Sequence, residues 1–187
     1  MLIDAFGKCF VKDSSSAKAG VPKDTALGKT ADEISEMVSC YASDGGVFYK
    51  QGDLVNAAAS FAYGYGWLDA GKYLGYITGS LSVLPIIDEK IQDSLLEHLM
   101  EKTYRYQRMF TGALNVVTPS PDSETAMYCA AETLWKTATS YLIKGEENLP
   151  DDLINALLAF SYGYGWLDCG VRAGLFSIHG DRHLFTI

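Results

Sequence analysis

Apolar residues recur along most of this chain at spacings of three and four, the signature of amphipathic helices. Ile34, Met37, Val38, Tyr41, Gly45 and Phe48 make one such stripe, and Met127, Ala130, Ala131, Leu134, Ala138 and Tyr141 another. A third helix is predicted from about Asp88 to Phe110, with Ile91, Leu95, Leu99, Tyr106 and Phe110 inward and Pro85 just ahead. Two further stretches, about 53–78 and 152–176, are apolar nearly all round and predict buried helices. No segment alternates with the period of a strand. The fold class that follows is all-α.

The two buried stretches are copies. Residues 53–77 read DLVNAAASFAYGYGWLDAGKYLGYI and residues 152–176 read DLINALLAFSYGYGWLDCGVRAGLF, so Tyr63–Asp69 and Tyr162–Asp168 are identical. The amphipathic stripe before each copy supplies a partner, Ile34 aligning with Met127 and Gly45 with Ala138. Each unit is then a helical hairpin, and the second has six extra residues before Asp152, Pro150 among them. Thr30 with Glu33 reads as a capping box for the first hairpin, and Ser120 before Pro121 as the cap of the second. Gly52 and Gly145 are the expected stops of the first helix of each pair. The expected organisation is an N-terminal segment over 1–29, partly flexible, and a first hairpin over 30–79. A linking helix plus the second hairpin covers 80–176, and a tail covers 177–187. Residues 2–11 are consistent with a short helix, and residues 12–28 read as a mobile loop. Paired copies of one unit commonly pack about a pseudo-twofold axis.

Glycine costs roughly 1 kcal/mol against alanine in a helix interior. The buried stretches nevertheless hold Gly64, Gly66, Gly71 and Gly75 and their counterparts Gly163, Gly165, Gly170 and Gly174. Close helix contact is the expected compensation. Ala57, Phe61, Gly64, Leu68, Gly71 and Gly75 share one face, as do Ala156, Phe160, Gly163, Leu167, Gly170 and Gly174. On this reading the two buried helices cross on that face, with Trp67 and Trp166 as packing anchors.

Composition narrows the function. The 187 residues are 48% hydrophobic and 20% charged, enough to build a core without staples. A formal charge of −8 disfavours nucleic acid as a partner. Lys102, Arg105 and Arg108 lie within two turns of one helix and read as a solvated face. Cys9, Cys40, Cys129 and Cys169 have no metal or redox spacing and read as reduced thiols, Cys129 and Cys169 as buried ones. The start lacks a signal-peptide pattern. Leu54–Ile77 carries Asn56, Asp69 and Lys72, which argues for burial in protein rather than a membrane.

Asp69 and Asp168 are the candidate chemistry, each a carboxylate inside an apolar helix. Tyr65 and Tyr73 flank Asp69 at four residues, and Tyr164 and Arg172 flank Asp168 likewise. These neighbours suit hydrogen-bonded, structural carboxylates. The same Asp69, Asp168, Tyr65, Tyr164 and Arg172 also suit a shared ligand site, where paired carboxylates bind a cation or work as acid and base. Gly64-Tyr65-Gly66 fails as a dinucleotide cradle, because no strand precedes it and Asp69 stands where the third glycine belongs. Glu97, His98 and Glu101 lack the Glu-x-x-His arrangement of a di-iron bundle. His179, Asp181 and His183 read as a polar tail before a metal chelate.

The run Tyr41, Tyr49-Lys50-Gln51-Gly52-Asp53, Asn56-Ala57 and Tyr63 through Gly71 resembles the archaeal helical family called domain of unknown function 357. The resemblance covers two tandem units, about 30–77 and 88–176, and its specific part is Tyr-Gly-Tyr-Gly-Trp-Leu-Asp. It implies a cytoplasmic archaeal protein and a helical bundle. It implies no activity and no catalytic residue. The Lys50-Gln51-Gly52-Asp53 turn is also similar to a tetratricopeptide hairpin, though no period near 34 residues accompanies it.

Without a catalytic constellation, and with so many residues given to helix packing, the favoured function is a non-enzymatic interaction or assembly module. The alternative is a small-ligand or metal-binding protein, or an enzyme, with its site at the repeat interface. No cofactor is expected and the metal is unassigned. The partner class left open is protein, with nucleic acid and membrane disfavoured. The chain is expected to be a monomer with pseudo-twofold symmetry or a homodimer.

Overall fold

A computed structural model describes residues 1–186. It contains six α-helices: α1 (Ile3–Ser16), α2 (Ala26–Lys50), α3 (Leu54–Tyr73), α4 (Leu96–Asn115), α5 (Ala126–Asn148) and α6 (Leu153–Arg172). A two-stranded antiparallel ladder joins β1 (Val117–Pro119) to β2 (Phe176–Ile178). The hairpins are α2–α3 and α5–α6, and each is completed by a third helix, α1 or α4. The repeat is therefore a three-helix unit, not a hairpin with a separate linker.

Three observations establish the equivalence of α1 and α4. Phe10 and Phe110, both fully buried, lie against Gly64 and Gly163 in the two copies. Phe10 packs on Tyr65 at 4.9 Å, and Phe110 on Tyr164 at 5.2 Å. Ala19 bridges Ile77 as Pro119 pairs with Phe176, tying each three-helix unit shut after its third helix. Residues 12–16, expected in a mobile loop, belong to α1, whereas residues 79–92 are irregular and α4 begins only at Leu96.

The expected register of the two hairpins is corrected by seven residues. Gly45 and Gly145 occupy the same place, each leaving room for a phenylalanine ring, Phe61 or Phe160. Tyr41 pairs with Tyr141 and Ile34 with Leu134 in consequence. Gly45 precedes Asp53 by eight residues and Gly145 precedes Asp152 by seven, so the six-residue insertion does not exist. A slip of two turns nearly preserves an amphipathic stripe, which is why periodicity alone did not exclude it. The caps shift accordingly. Thr25 accepts from Gly28 N–H at 3.0 Å and Thr125 from Tyr128 N–H at 3.2 Å, while Thr30 lies inside α2 and Ser120 lies before the turn. Gly145 lies within α5; Gly52, with φ 80°, does end the connection after α2.

Helices α3 and α6 form the centre and are buried along almost their whole length. They cross backbone to backbone at Gly66 and Gly165. A Cβ on Gly66 would collide with the carbonyl oxygen of Tyr162 and stand 3.1 Å from Gly165 Cα; one on Gly165 would collide with the carbonyl of Tyr63. The crossing thus uses the face opposite to the one expected. Gly64 and Gly163 instead admit Phe10 with Tyr41, and Phe110 with Tyr141. Gly71 lies against Ile34 and Ile77, and Gly170 against Leu134 and Phe176. Gly75 and Gly174, at φ 75° and 74°, follow the helix ends. Trp67 and Trp166 are buried at 0% and 3% exposure.

Candidate functional site

The crossing at Gly66 and Gly165 determines what Asp69 and Asp168 meet. One helical turn from the crossing, each aspartate faces a tyrosine of the other repeat. The Tyr162 hydroxyl donates to Asp69 Oδ2 at 2.8 Å, and the Tyr63 hydroxyl donates to Asp168 Oδ2. The segment after each helix adds a backbone donor: Ser82 N–H to Asp69 at 3.1 Å and Thr186 N–H to Asp168 at 3.4 Å. The two carboxylates have no hydrogen-bond partner in common, so they make two related sites rather than one.

The tyrosines expected beside them serve elsewhere. Tyr65 donates to Asp13, and Tyr164 to the carbonyl of Leu184. Tyr73 is 39% exposed with its ring 5.9 Å from Trp166. Arg172 donates to the carbonyl of Thr186 at 3.4 Å and lies 3.8 Å from Glu33, so it reaches the tail over Asp168 without bonding the carboxylate. Same-helix spacing pointed to Tyr65 and Tyr164 because they share a face with their own aspartate. Tyr63 and Tyr162 lie six residues before their own aspartate and pair only across the pseudo-twofold axis. Lys72 was the readable signal left unused, three residues after Asp69 on a helix.

The two sites differ in which cation is near and in whether it touches the carboxylate. Lys72 Nζ lies 3.0 Å from Asp69 Oδ1, with side chains 6% and 0% exposed, so the first carboxylate has its own ammonium. The residue three after Asp168 is Val171. Asp168 Oδ1 is buried and has no hydrogen-bond partner among the described residues. Burial accordingly drives its carboxyl up to about 7, against the weaker pull of Tyr63, Thr186 and Arg172. The same burial and the adjoining carboxylate hold the Tyr63 hydroxyl well above its usual range, and burial raises Tyr41 to about 12.

Each site opens into a cavity beside the tyrosine that follows in the motif. In the second repeat the space is about 140 Å³, lined by Tyr41, Tyr63, Tyr106, Tyr164 and Asp168 and closed by the tail from His183 to Thr186. In the first it is a cleft of about 640 Å³ between α1 and the 78–85 segment, with Lys12, Asp13, Tyr65 and Lys72 on its walls. Phe6 and Cys9 line the cleft where Tyr106 and Met109 line the smaller cavity, so the two spaces are counterparts.

Other sequence candidates separate. Lys102 is 8% exposed, donates to Asn56 and lies 4.8 Å over the Tyr106 ring, so it leaves the expected solvated basic face. His179 bonds Thr118 and Asp181 caps His183 N–H. Among the described residues no three His, Cys, Asp or Glu side chains stand where they could hold a metal. Cys169 is buried, but Cys129, expected buried, is exposed with Cys9 and Cys40. No helix among the described residues is long and apolar enough to cross a membrane.

The architecture is that of a duplicated three-helix unit joined by reciprocal tyrosine–aspartate bonds. The chain belongs to the family described as Protein of unknown function (DUF357), whose model matches twice, over residues 9–77 and 105–176. Each match takes in part of α1 or α4, so the third helix is part of the family unit. No curated protein and no solved structure matches the chain.

Proposed function

We propose that this protein binds a small cationic ligand in the tyrosine-lined cavity of its second repeat, with Asp168 as the anchoring charge. The observation that carries the reading is a carboxylate only 2% exposed whose Oδ1 has no partner among the described residues. An isolated buried carboxylate is expensive, and a positively charged group beside it removes the cost. The cavity is too small for a nucleotide and large enough for a compact headgroup, since liquid water occupies about 30 Å³ per molecule. Thermal denaturation of the wild type and Asp168→Asn, across a panel of small cations and amines at pH 8, tests it. A ligand at one hundred times its Kd adds about 2.7 kcal/mol of native stability. The expected outcome is a rise of several degrees in the wild type and none in the variant. A panel without any Asp168-dependent shift refutes the reading.

A second reading, an interaction or assembly module, is favoured by a separate feature. Leu81, Val83 and Ile86 are 52%, 89% and 70% exposed in one short segment bordering the larger cleft. Clustered exposed apolar side chains mark contact surfaces. If this face joins two copies of the chain, the sedimentation coefficient rises with concentration, and Val83→Ser with Ile86→Ser abolishes the rise.

A further inference from the structure

The internal duplication identifies the occupant of the second site. In the first repeat Asp69 Oδ1 is met by a primary ammonium, Lys72 Nζ, almost completely buried. In the second, the equivalent Asp168 Oδ1 has no hydrogen-bond partner among the described residues, the equivalent side chain is Val171, and Arg172, four residues on, reaches Glu33 and the Thr186 carbonyl instead. The fold meets this electrostatic problem in the first repeat with a lysine from its own chain, and the second repeat carries the carboxylate without that lysine.

We infer that the second repeat binds a primary ammonium group from outside the chain, seated on Asp168 Oδ1 in the place that Lys72 Nζ takes on Asp69. This deepens the binding role proposed above and rests on it. The walls favour that chemistry. Tyr41 and Tyr63 rings meet at 4.6 Å and 60°, and Tyr63 and Tyr164 at 6.2 Å and 78°. With Tyr106 these rings line the space beside Asp168, and tyrosine rings and hydroxyl oxygens attract a cation. Phe6 in the first repeat is replaced by Tyr106 in the second, which adds a hydroxyl to the lining where no lysine is supplied. One carboxylate with neutral oxygens is a poor match for calcium or magnesium, which take several charged or carbonyl oxygens at once. The space of about 140 Å³ admits a few heavy atoms on the nitrogen and no more. The tail from His183 to Thr186 forms one wall of the space.

The test is titration of the full chain at pH 8 with methylammonium chloride, followed by tyrosine ring NMR shifts and melting temperature. Potassium chloride and tetramethylammonium chloride at equal ionic strength are the controls. Saturable methylammonium binding, at least tenfold tighter than either control, is expected. It should weaken at least tenfold in Asp168→Asn. It should also vanish in Val171→Lys, which gives the second repeat the lysine of the first; circular dichroism establishes that both variants are folded. Equal response to potassium, or stronger response to tetramethylammonium, overturns the primary-ammonium assignment. So does methylammonium binding that survives Val171→Lys. If methylammonium fails while another member of the cation panel gives an Asp168-dependent shift, this inference falls and the broader binding role stands. If no compound depends on Asp168, both fall.

Discussion

Asp69 and Asp168 occupy the same position in two copies of one motif, and one of them has a buried ammonium beside it. Asp69 is held by the Tyr162 hydroxyl, the Ser82 amide and the Lys72 ammonium. Asp168 has the corresponding hydroxyl and amide from Tyr63 and Thr186 but no ammonium. The reciprocal tyrosine hydroxyl and the backbone amide recur in both sites, so the contrast bears on what the buried ammonium does. With its lysine, a carboxylate becomes part of the core. Without it, the carboxyl rises toward neutral pH and a tyrosine-walled cavity gains a charge that a ligand can use.

The comparison holds only if the pivot between the repeats is symmetric, and that gives the largest predicted effect. Gly66→Ala and Gly165→Ala each drive a Cβ into a backbone carbonyl of the opposite helix, an obstacle that no rotamer change relieves. Each should lose about 4 to 5 kcal/mol in urea denaturation, and by similar amounts. Gly46→Ala, with open space around its added methyl, should gain up to about 1 kcal/mol as better helix former. Unequal losses at Gly66 and Gly165 would show that the two halves do not share the crossing equally.

Next in size is a pH dependence that comes from Asp168. Asp168 has its carboxyl raised from 3.8 to about 7, so between those values the native state holds a proton that the unfolded chain has released. Its contribution to stability is therefore full below about pH 4 and lost as pH rises through about 7, a loss on the order of 4 kcal/mol. The groups that face it are Tyr41, Tyr63, Tyr106 and Tyr164 from four helices, Arg172 from its own, and His183 from the tail. The measurement is made in a His183→Gln background, which removes the histidine from the cavity wall. Subtracting the pH profile of Asp168→Asn from that of Asp168 should leave a falling curve of this size. A flat difference would mean that the carboxyl is neutralised by other means. Lys72→Val removes the ammonium from the first site and should lose about 3 kcal/mol at pH 8, because it leaves a buried carboxylate without its cation.

Much of this molecule could be read before it was seen. The three-and-four periodicity showed the helices. The repeated Tyr-Gly-Tyr-Gly-Trp-Leu-Asp showed the duplication, because identity over seven residues survives where pattern does not. The rest was hidden for physical reasons. A stripe such as Ile34 to Phe48 looks the same after a slip of two turns, so it could not establish register; Gly45 and Gly145, matched to the rings of Phe61 and Phe160, could have. Helices α1 and α4 share a place but little sequence beyond Phe10 and Phe110, so the third helix of the repeat passed as a linker. Tyr63 and Tyr162 act across an axis that no single-helix spacing describes. Lys72 was legible in principle, since i and i+3 partners on a helix are neighbours.

The smallest effect separates the two sites most finely. Tyr162→Phe removes one donor from Asp69, which keeps its ammonium and the Ser82 amide, and should cost about 1 kcal/mol. Tyr63→Phe removes the tyrosine donor from Asp168, which has no ammonium beside it, and leaves it the Thr186 amide at 3.4 Å. A bond to a buried, uncompensated carboxylate is worth more, so the loss at pH 8 should reach about 2 kcal/mol. At pH 5 Asp168 is protonated and the bond it makes is between neutral groups. The cost of Tyr63→Phe should then fall toward that of Tyr162→Phe, whose partner already has its cation. If the two substitutions cost the same at both pH values, Asp168 is no less compensated than Asp69, and the reason for placing a ligand beside it disappears.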